Sequence, residues 1–457
     1  MEQLERDNRS LGRLTYTDLS ETDEFFRARA EDPWGITRAP LSPAIARMSA
    51  ELCAGAYDLD IRPWVLAGWE DCTFVVEDRI VVLDHDPDSR LAQIEAEWKR
   101  RRAMSLMEGV SPVTDITRAI RQMMVTDLGK AIVMTRMDEK GRMVIAISFI
   151  GTTQKYFDWF SNFKIQRKTG MHSGFAELAR GLDAQTTRIL LPKLAAMLGE
   201  ETFSLADALQ EARQPNGRVR LWLTGHSQGG AIVQTYTHLL LSQGVLPEAI
   251  DGYTFAAPTV AAADGSFDPA PYPIHNIIST DDVVTRVGAQ VRLGMDWIFR
   301  PNETFRKKHY RVQEDQKPAF DRALHIARQV QSTPDAICWF LSLMRLMRES
   351  ETDPSLQSLF TALMPRATML RRLKLSVADV AAYFEEKIIS HHLTLTGEPP
   401  SEALTEEYEG MMRSLVRQYG PKPAAVTLLK ILGAPHRIRP DKHDDAFVTP
   451  YIAIARR

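Results

Sequence analysis

The sequence predicts an α/β fold, in which helices cover both faces of a β-sheet, and three observations lead to this prediction. Between about residues 130 and 280, short apolar runs alternate with amphipathic helical patterns. This alternation is typical of a sheet whose strands are joined by crossover helices. One strand pattern passes into a helix through a glycine-rich corner at 225–229. Beyond about residue 303 the strand signal largely disappears and helical patterns dominate.

The chain is too long for one ordinary hydrophobic core. Its 457 residues correspond to two or three domains. The changes in pattern predict three parts. These are an N-terminal α+β extension over 1–115 that packs on the core, an α/β core over 116–302, and a mainly helical C-terminal segment over 303–457.

Composition and charge argue against several classes of protein. The hydrophobic fraction of 44% and the charged fraction of 25% are those of a soluble globular protein. A net charge of -3 gives no electrostatic reason to expect nucleic acid as a partner. Three cysteines are too few for a disulfide framework and fit a reducing compartment. We expect a cytoplasmic protein, because we see no signal peptide and no run of roughly 20 apolar residues.

The N-terminal part shows helix and strand patterns before the main alternation begins. Residues 42–58 repeat apolar side chains at helical spacing, and 72–86 predict two strands around a short polar turn. Residues 89–107 predict a charged helix and 114–129 an amphipathic helix. Residues 130–152 predict a hairpin, since two apolar strands flank an Asp-Glu-Lys-Gly turn.

The central part supplies the strands and helices of the expected sheet. A long amphipathic helix is predicted over 172–198, which includes the stretch His-Ser-Gly-Phe at its start. The following elements are a strand at 218–225, a helix at 230–244, and strands at 251–258 and 272–280. The C-terminal segment then predicts helices within 314–349 and 354–432.

Ser227 lies at the glycine-rich corner, in the sequence Gly225-His226-Ser227-Gln228-Gly229. This G-x-S-x-G pattern is typical of a nucleophile on a sharp strand-to-helix turn, with the serine in a strained backbone conformation. A side chain at either glycine would collide with the neighbouring strand or helix. The amides at the start of the following helix would favour negative charge beside the serine.

A nucleophilic serine needs a base, and the base needs a carboxylate that orients it. In α/β hydrolases the chain order is serine, then aspartate or glutamate, then histidine. Asp281 and Asp282 follow a predicted strand, at the edge of the sheet where α/β sites form, although either could instead cap a turn. Six histidines follow them, namely His309, His325, His391, His392, His436 and His443.

Six separated motifs resemble those of the class 3 lipases, the α/β hydrolases related to fungal triacylglycerol lipases. The resemblance covers about 130–300. In chain order the motifs are Phe149-Ile150-Gly151-Thr152, Asp158-Trp159, His172-Ser173-Gly174-Phe175, GHSQGG from Gly225, Tyr253-Thr254-Phe255-Ala256-Ala257-Pro258, and Asp281-Asp282-Val283-Val284-Thr285. The resemblance implies an α/β-hydrolase-type mixed sheet with helices on both faces.

The resemblance also implies roles for individual residues. Ser227 matches the nucleophile, and Asp282 matches the acid because Val284 then takes the family's valine position. Thr152 matches the first oxyanion-hole residue, and Gln228 supplies the second amide. The sequence departs from the family at two positions: Ile150 stands where the family has arginine, and Thr285 stands where proline is usual.

The base is the least determined member of the predicted triad. His392 is our choice, because His391-His392-Leu393 resembles the His-Leu-x-Tyr pattern around the family's base and follows a predicted helix. His391 and His443 are the next candidates. We interpret His172 and His226 as structural, and we place His436 in a polar tail.

The resemblance implies a serine hydrolase that cleaves carboxylic ester bonds of lipids through an acyl-enzyme, without cofactor or metal. The aromatic residues within 156–163 would then form a lid over an acyl pocket and make transient contact with a membrane or lipid surface. Two alternatives stay open: a carboxylesterase for small soluble esters, and a non-catalytic scaffold that binds a partner. The predicted partner is therefore a lipid or acyl ester, and no nucleic acid is expected.

Overall fold

The sheet has seven strands, which lie side by side in the order of the sequence. The structure is a computed structural model. It describes residues 41–58, 64, 68–71, 131–137, 142–151, 217–263, 271–349, 377–438 and 450–455, with shorter pieces within 171–196 and at 265, 268 and 269. The strands are β1 (Glu70–Asp71), β2 (Ala131–Met137), β3 (Met143–Phe149), β4 (Val219–His226), β5 (Ile250–Phe255), β6 (Ile274–Ser279) and β7 (Met295–Phe299).

Strand direction makes this a mixed sheet. The pairs β1–β2 and β2–β3 are antiparallel, and every later neighbouring pair from β3 to β7 is parallel. The predicted hairpin is confirmed by the register, which pairs Ala131 with Phe149 and Met137 with Met143. Because β3 to β6 run in the same direction, their carboxyl ends meet at one edge of the sheet, where ligand sites of α/β folds form.

The helices were largely predicted. They are α1 (Pro43–Asp58), α2 (Gln228–Ser242), α3 (Glu303–His309), α4 (Lys317–Gln329), α5 (Thr333–Glu349), α6 (Val377–Thr396), α7 (Glu402–Tyr419), α8 (Pro421–Gly433) and α9 (Pro450–Ala455). The described residues between 175 and 196 are also helical. No helix in the described ranges has the length and hydrophobicity that a membrane crossing requires.

Both faces of the sheet are buried, and the strand side chains alternate between two cores. Ile132 and Trp222 belong to a core that includes side chains of α1, α4 and α5. Val133 and Leu223, each one position away, belong to a second core that includes α2. Successive side chains of a strand point to opposite faces, so this alternation places helices on both sides. The predicted α/β class is confirmed.

The N-terminal helix α1 packs on the central strand β4. The Trp222 indole Nε1 donates to Ser49 Oγ over 2.8 Å, and Cys53 Sγ lies 3.1 Å from Thr224 Oγ1. Trp64 and Trp69 pack on the Trp222 ring, with centroids 5.7 and 5.9 Å away. Helix α1, together with Trp64 and Trp69, therefore packs on one face of the sheet. The predicted strands at 72–86 and the predicted helices at 89–107 and 114–129 lie outside the described residues.

Four of the described elements were not predicted from the sequence, namely β1, α3, β7 and α9. The edge strand β7 exposes Met295, Trp297 and Ile298, so it lacks the buried apolar run that marks an inner strand. The helix α9 is only six residues long, too short to show a helical period, yet all six are buried. The stretch after 433 is therefore not simply a polar tail, because it includes a helix of the core.

Candidate active site

The serine corner has the geometry of a strained strand-to-helix turn. Strand β4 ends at His226, helix α2 begins at Gln228, and Ser227 stands between them with φ 57° and ψ −125°. A residue other than glycine rarely adopts positive φ, and such a conformation costs about 1–3 kcal/mol when the surroundings impose it. Ser227 bears this strain at the end of β4, on the carboxyl edge of the sheet.

The two glycines of the corner are required for steric reasons, as the sequence predicted. A Cβ on Gly229 would lie 2.1 Å from the carbonyl oxygen of Phe149, at the end of β3. A Cβ on Gly225 would lie 2.3 Å from the carbonyl carbon of Gly229. Both obstacles are backbone atoms, which cannot rotate away as a side chain can. The turn can therefore be this tight only with glycine at both positions.

We expect Gly229→Ala to destabilise the protein by about 3 kcal/mol or more, because β3 and α2 must separate to admit the methyl group. Urea denaturation of the purified variant measures this loss. Gly181→Ala is the matched control, since Gly181 is helical and a Cβ there meets nothing within 4 Å. The control should be as stable as the wild type or slightly more stable. Equal stability of the two variants would contradict the steric argument.

Asp282 follows β6 and is completely buried. Its Oδ1 accepts a hydrogen bond from the Val284 amide over 3.0 Å. Its Oδ2 accepts two, from His436 Nδ1 over 2.9 Å and from the Tyr451 hydroxyl over 2.9 Å. Burial, with the nearby carboxylate of Asp282 as a further cause, raises the pKa of Tyr451 well above its usual value, so this phenol remains a donor. The carboxylate is thus held by one amide, one phenol and one imidazole.

His436 is delivered to Asp282 by the turn that follows α8. The helix α7 ends at Tyr419, Gly420 adopts φ 83°, and Pro421 starts α8, which is the usual order of helix-stopping and helix-starting residues. Helix α8 ends at Gly433, and His436 lies three residues later. Its ring stands 4.6 Å from the ring of His226, the neighbour of Ser227. Because Nδ1 binds Asp282, any proton exchange with a substrate or nucleophile would take place at Nε2.

The structure does not bring His392 to Asp282, so the sequence interpretation is corrected here: the imidazole on Asp282 is that of His436. His392 lies buried in α6, and its neighbour His391 donates from Nε2 to the Gly288 carbonyl over 2.7 Å. His443 lies outside the described residues. One signal in the sequence favoured His436: it directly follows the last long helical pattern, in a Gly-Ala-Pro-His turn.

His391 gives the stability a pH dependence that is unrelated to catalysis. Burial lowers the pKa of His391 from 6.5 to about 4. The unfolded chain therefore binds a proton as the pH falls below about 6.5, whereas the folded protein does not until about 4, so this contribution to stability is lost over that window. We expect the wild type to lose about 2 kcal/mol more than His391→Gln between pH 7 and pH 5. Urea denaturation midpoints at pH 7 and at pH 5 measure the loss of stability of each protein. Equal losses in the wild type and in His391→Gln would contradict the lowered pKa of His391.

The neighbouring Asp281 has a different set of partners from Asp282. Its carboxylate accepts hydrogen bonds from Arg306 over 2.7 Å, from Arg328 over 2.7 Å and from the Tyr310 hydroxyl over 2.9 Å. Arg306 lies on α3 and Arg328 on α4, so this buried carboxylate fastens two C-terminal helices to the loop after β6. Asp281 is therefore a structural anchor, next to the residue that binds His436.

Asp281→Asn is expected to destabilise the protein by about 2 kcal/mol, because it removes the charge that two arginines share. The rate of reaction at Ser227 per folded molecule should stay within a few-fold of wild type. Thermal denaturation measures the loss of stability. The rate at which a fluorophosphonate labels Ser227 measures the rate of reaction. A large loss of labelling in fully folded Asp281→Asn would show that the two aspartates act together.

The predicted oxyanion-hole residues are described in part. Gln228 is the first residue of α2, so its amide belongs to the helix start beside Ser227. Thr152 and the predicted lid, with Asp158 and Trp159, lie outside the described residues. Gly151, directly before Thr152, is described: Ser227 Cβ lies 3.4 Å from the position that a Cβ on Gly151 would take. The end of β3 therefore reaches the serine. In the described ranges, no group of His, Cys, Asp or Glu could hold a metal ion.

Comparison with known proteins relates the central part of the chain to a lipase family. Residues 146–291 match the family model described as lipase (class 3). A comparison with curated proteins found no match. Similar solved structures include the Rhizomucor miehei triacylglyceride lipase, with 16% identity over 37% of this chain and 62% of that one and a TM-score of 0.27. A lipase from Rhizopus microsporus var. chinensis has 12% identity over 55% and 70% of the two chains and a TM-score of 0.31. This chain thus spans less than two thirds of the Rhizomucor structure.

Proposed function

We propose that the protein is a serine hydrolase that cleaves carboxylic ester bonds of lipids, because residues 146–291 match the family model described as lipase (class 3). One observation carries the proposal beyond the family match. The imidazole of His436, bound to the buried Asp282, stands beside a serine corner that is strained in the way a nucleophile requires. Ser227, Asp282 and His436 have the types and chain order of an α/β-hydrolase triad.

In the proposed first step, His436 Nε2 takes the proton of the Ser227 hydroxyl while the oxygen attacks the ester carbonyl carbon. The C–O bond forms and the carbonyl electron pair moves to oxygen, giving a tetrahedral oxyanion. The amide of Gln228, and that of Thr152 as the family resemblance implies, would donate to this oxyanion. Each such donor is worth on the order of 100- to 1,000-fold in rate.

The intermediate collapses when the ester C–O bond breaks and His436 returns its proton to the leaving alcohol. Water then attacks the acyl-enzyme, with His436 again as the base, and releases the fatty acid and the free serine. Asp282 stabilises the imidazolium in both steps, through the bond to Nδ1. Tyr451 donates to the same carboxylate oxygen and keeps it aimed at the imidazole.

The test of this function is covalent labelling by a fluorophosphonate, followed by intact mass and peptide mapping. We expect one adduct, on Ser227. Hydrolysis of p-nitrophenyl esters of increasing chain length, below and above their solubility limits, then separates lipids from soluble esters. A preference for short soluble chains would replace the lipase by a carboxylesterase. A folded protein that gives no adduct, with and without detergent, would favour a non-catalytic scaffold.

A further inference from the structure

The hydroxyl of Tyr57 lies at the serine corner, although Tyr57 belongs to the N-terminal helix α1 and lies outside the family match. The Tyr57 hydroxyl is 2.8 Å from His226 Nδ1, at a sequence separation of 169 residues. It also lies 2.5 Å from the position that a Cβ on Gly151 would take, and Ser227 Cβ lies near the same point. The phenol therefore stands between the end of β3 and the end of β4.

The hydrogen bonds of His226 determine where its ring proton is. His226 Nε2 lies 2.7 Å from the main-chain carbonyl oxygen of His436, which can only accept, so Nε2 carries a proton. Burial lowers the pKa of His226 well below its usual value, so the ring is neutral and its Nδ1 is an acceptor. The Tyr57 hydroxyl must then donate to Nδ1. Two consecutive hydrogen bonds thus connect Tyr57 through His226 to the backbone of His436.

These hydrogen bonds have a clear role in the proposed mechanism. His436 lies in a turn three residues beyond α8, and its side chain must keep Nδ1 on Asp282 while Nε2 exchanges a proton. The bond from His226 holds the backbone of this same residue, whereas Asp282 holds its side chain. A neutral His226 is also needed, because a charged ring 4.6 Å away would oppose the imidazolium that His436 becomes.

We propose that Tyr57 is a positioning residue for the base: by donating to His226 Nδ1, it fixes the tautomer in which His226 Nε2–H holds the carbonyl of His436. The inference rests on the proposed function. It gives α1, which lies outside the segment that the family model matches, a role in the proposed active site.

Tyr57→Phe removes only the hydroxyl and is the variant to test. Loss of one hydrogen bond that acts in the transition state corresponds to about a tenfold fall in kcat/KM. We expect this fall to lie in kcat, with little change in KM. The rate of labelling by a fluorophosphonate should fall by the same factor. Ser49→Ala is the matched control, since it removes a buried hydrogen bond between the same helix and the same strand, from Trp222 Nε1. The control should lose stability but keep its rate per folded molecule.

A second readout does not depend on activity. In protein with ¹⁵N-labelled histidine, two-bond ¹⁵N–¹H correlation spectra show which ring nitrogen carries the proton, with His226 assigned by the loss of its signals in His226→Asn. We expect protonated Nε2 in the wild type, and a mixture of tautomers together with shifted His436 signals in Tyr57→Phe. Unchanged ring signals, or rates equal to those of Ser49→Ala, would overturn the inference. If the wild type itself is not labelled, the proposed function fails and the spectra alone decide the role of Tyr57.

Discussion

Replacement of Ser227 by alanine is expected to abolish fluorophosphonate labelling and to lower kcat for ester hydrolysis by about 10⁴- to 10⁶-fold. The oxygen that would form the acyl-enzyme is gone, and only binding and the oxyanion donors remain to assist water. KM should change little, because the hydroxyl contributes to the transition state rather than to substrate binding. Rates from initial-velocity measurements at saturating ester, compared with wild type, give the factor.

The folded state of the variant must be checked separately, and the backbone provides a suitable comparison. Alanine keeps the strain at φ 57°, so Ser227→Ala should have nearly the wild-type stability, whereas Ser227→Gly relieves the strain and should be at least as stable. Both should be inactive. Residual hydrolysis within tenfold of wild type in either variant would show that Ser227 is not the nucleophile.

His436→Ala is expected to lower kcat by about 10⁴-fold or more, while His392→Gln keeps the rate within a few-fold of wild type. The reason is geometric, since His436 binds Asp282, whereas His392 lies in α6 and makes no hydrogen bond to Asp282 that the structure describes. His392 is the appropriate control because both are buried or nearly buried histidines of the C-terminal segment, and loss of either removes packing. The labelling rate of Ser227 measures the effect without any choice of ester.

The opposite result would favour His392 as the base, as the pattern His391-His392-Leu393 predicted. If His392→Gln loses labelling while His436→Ala retains it, the arrangement at Asp282 is not the one that activates the serine. Thermal denaturation of both variants excludes the simple explanation that one of them is unfolded. Excess imidazole provides one more check, because a small base that enters the space left by His436→Ala should restore part of the rate.

Much of the fold could be predicted because its signals are local. The hairpin β2–β3, the strands β4 to β6 and the helix α2 each carry a period or a turn within about 15 residues. The serine corner was likewise predicted from five consecutive residues. The edge strand β7 and the helix α9 escaped prediction, since one lacks a buried apolar run and the other is shorter than two helical turns.

The partners of the site could not be predicted in the same way, because tertiary packing determines them. The sequence placed Asp281 and Asp282 together after a strand, but only packing shows that Arg306 and Arg328 bind the first and His436 the second. His436 carries no periodic signal of its own. The family resemblance was more local than the site: it predicted Ser227 as the nucleophile and Asp282 as the acid, and its histidine pattern pointed to His392, whereas the imidazole on Asp282 is that of His436.

The residues at Asp282 have a consequence for the order in which the protein is synthesised. His436 and Tyr451 follow the aspartate by 154 and 169 residues, and α9 packs on α1 near the start of the described chain. A ribosome therefore completes the strands of the sheet, the serine corner and Asp282 long before it supplies His436. Contacts this far apart in sequence form late and slowly. Under the proposed mechanism, the nascent protein would hold the serine corner without the imidazole that activates it, and hydrolysis would begin only after α9 has packed on α1.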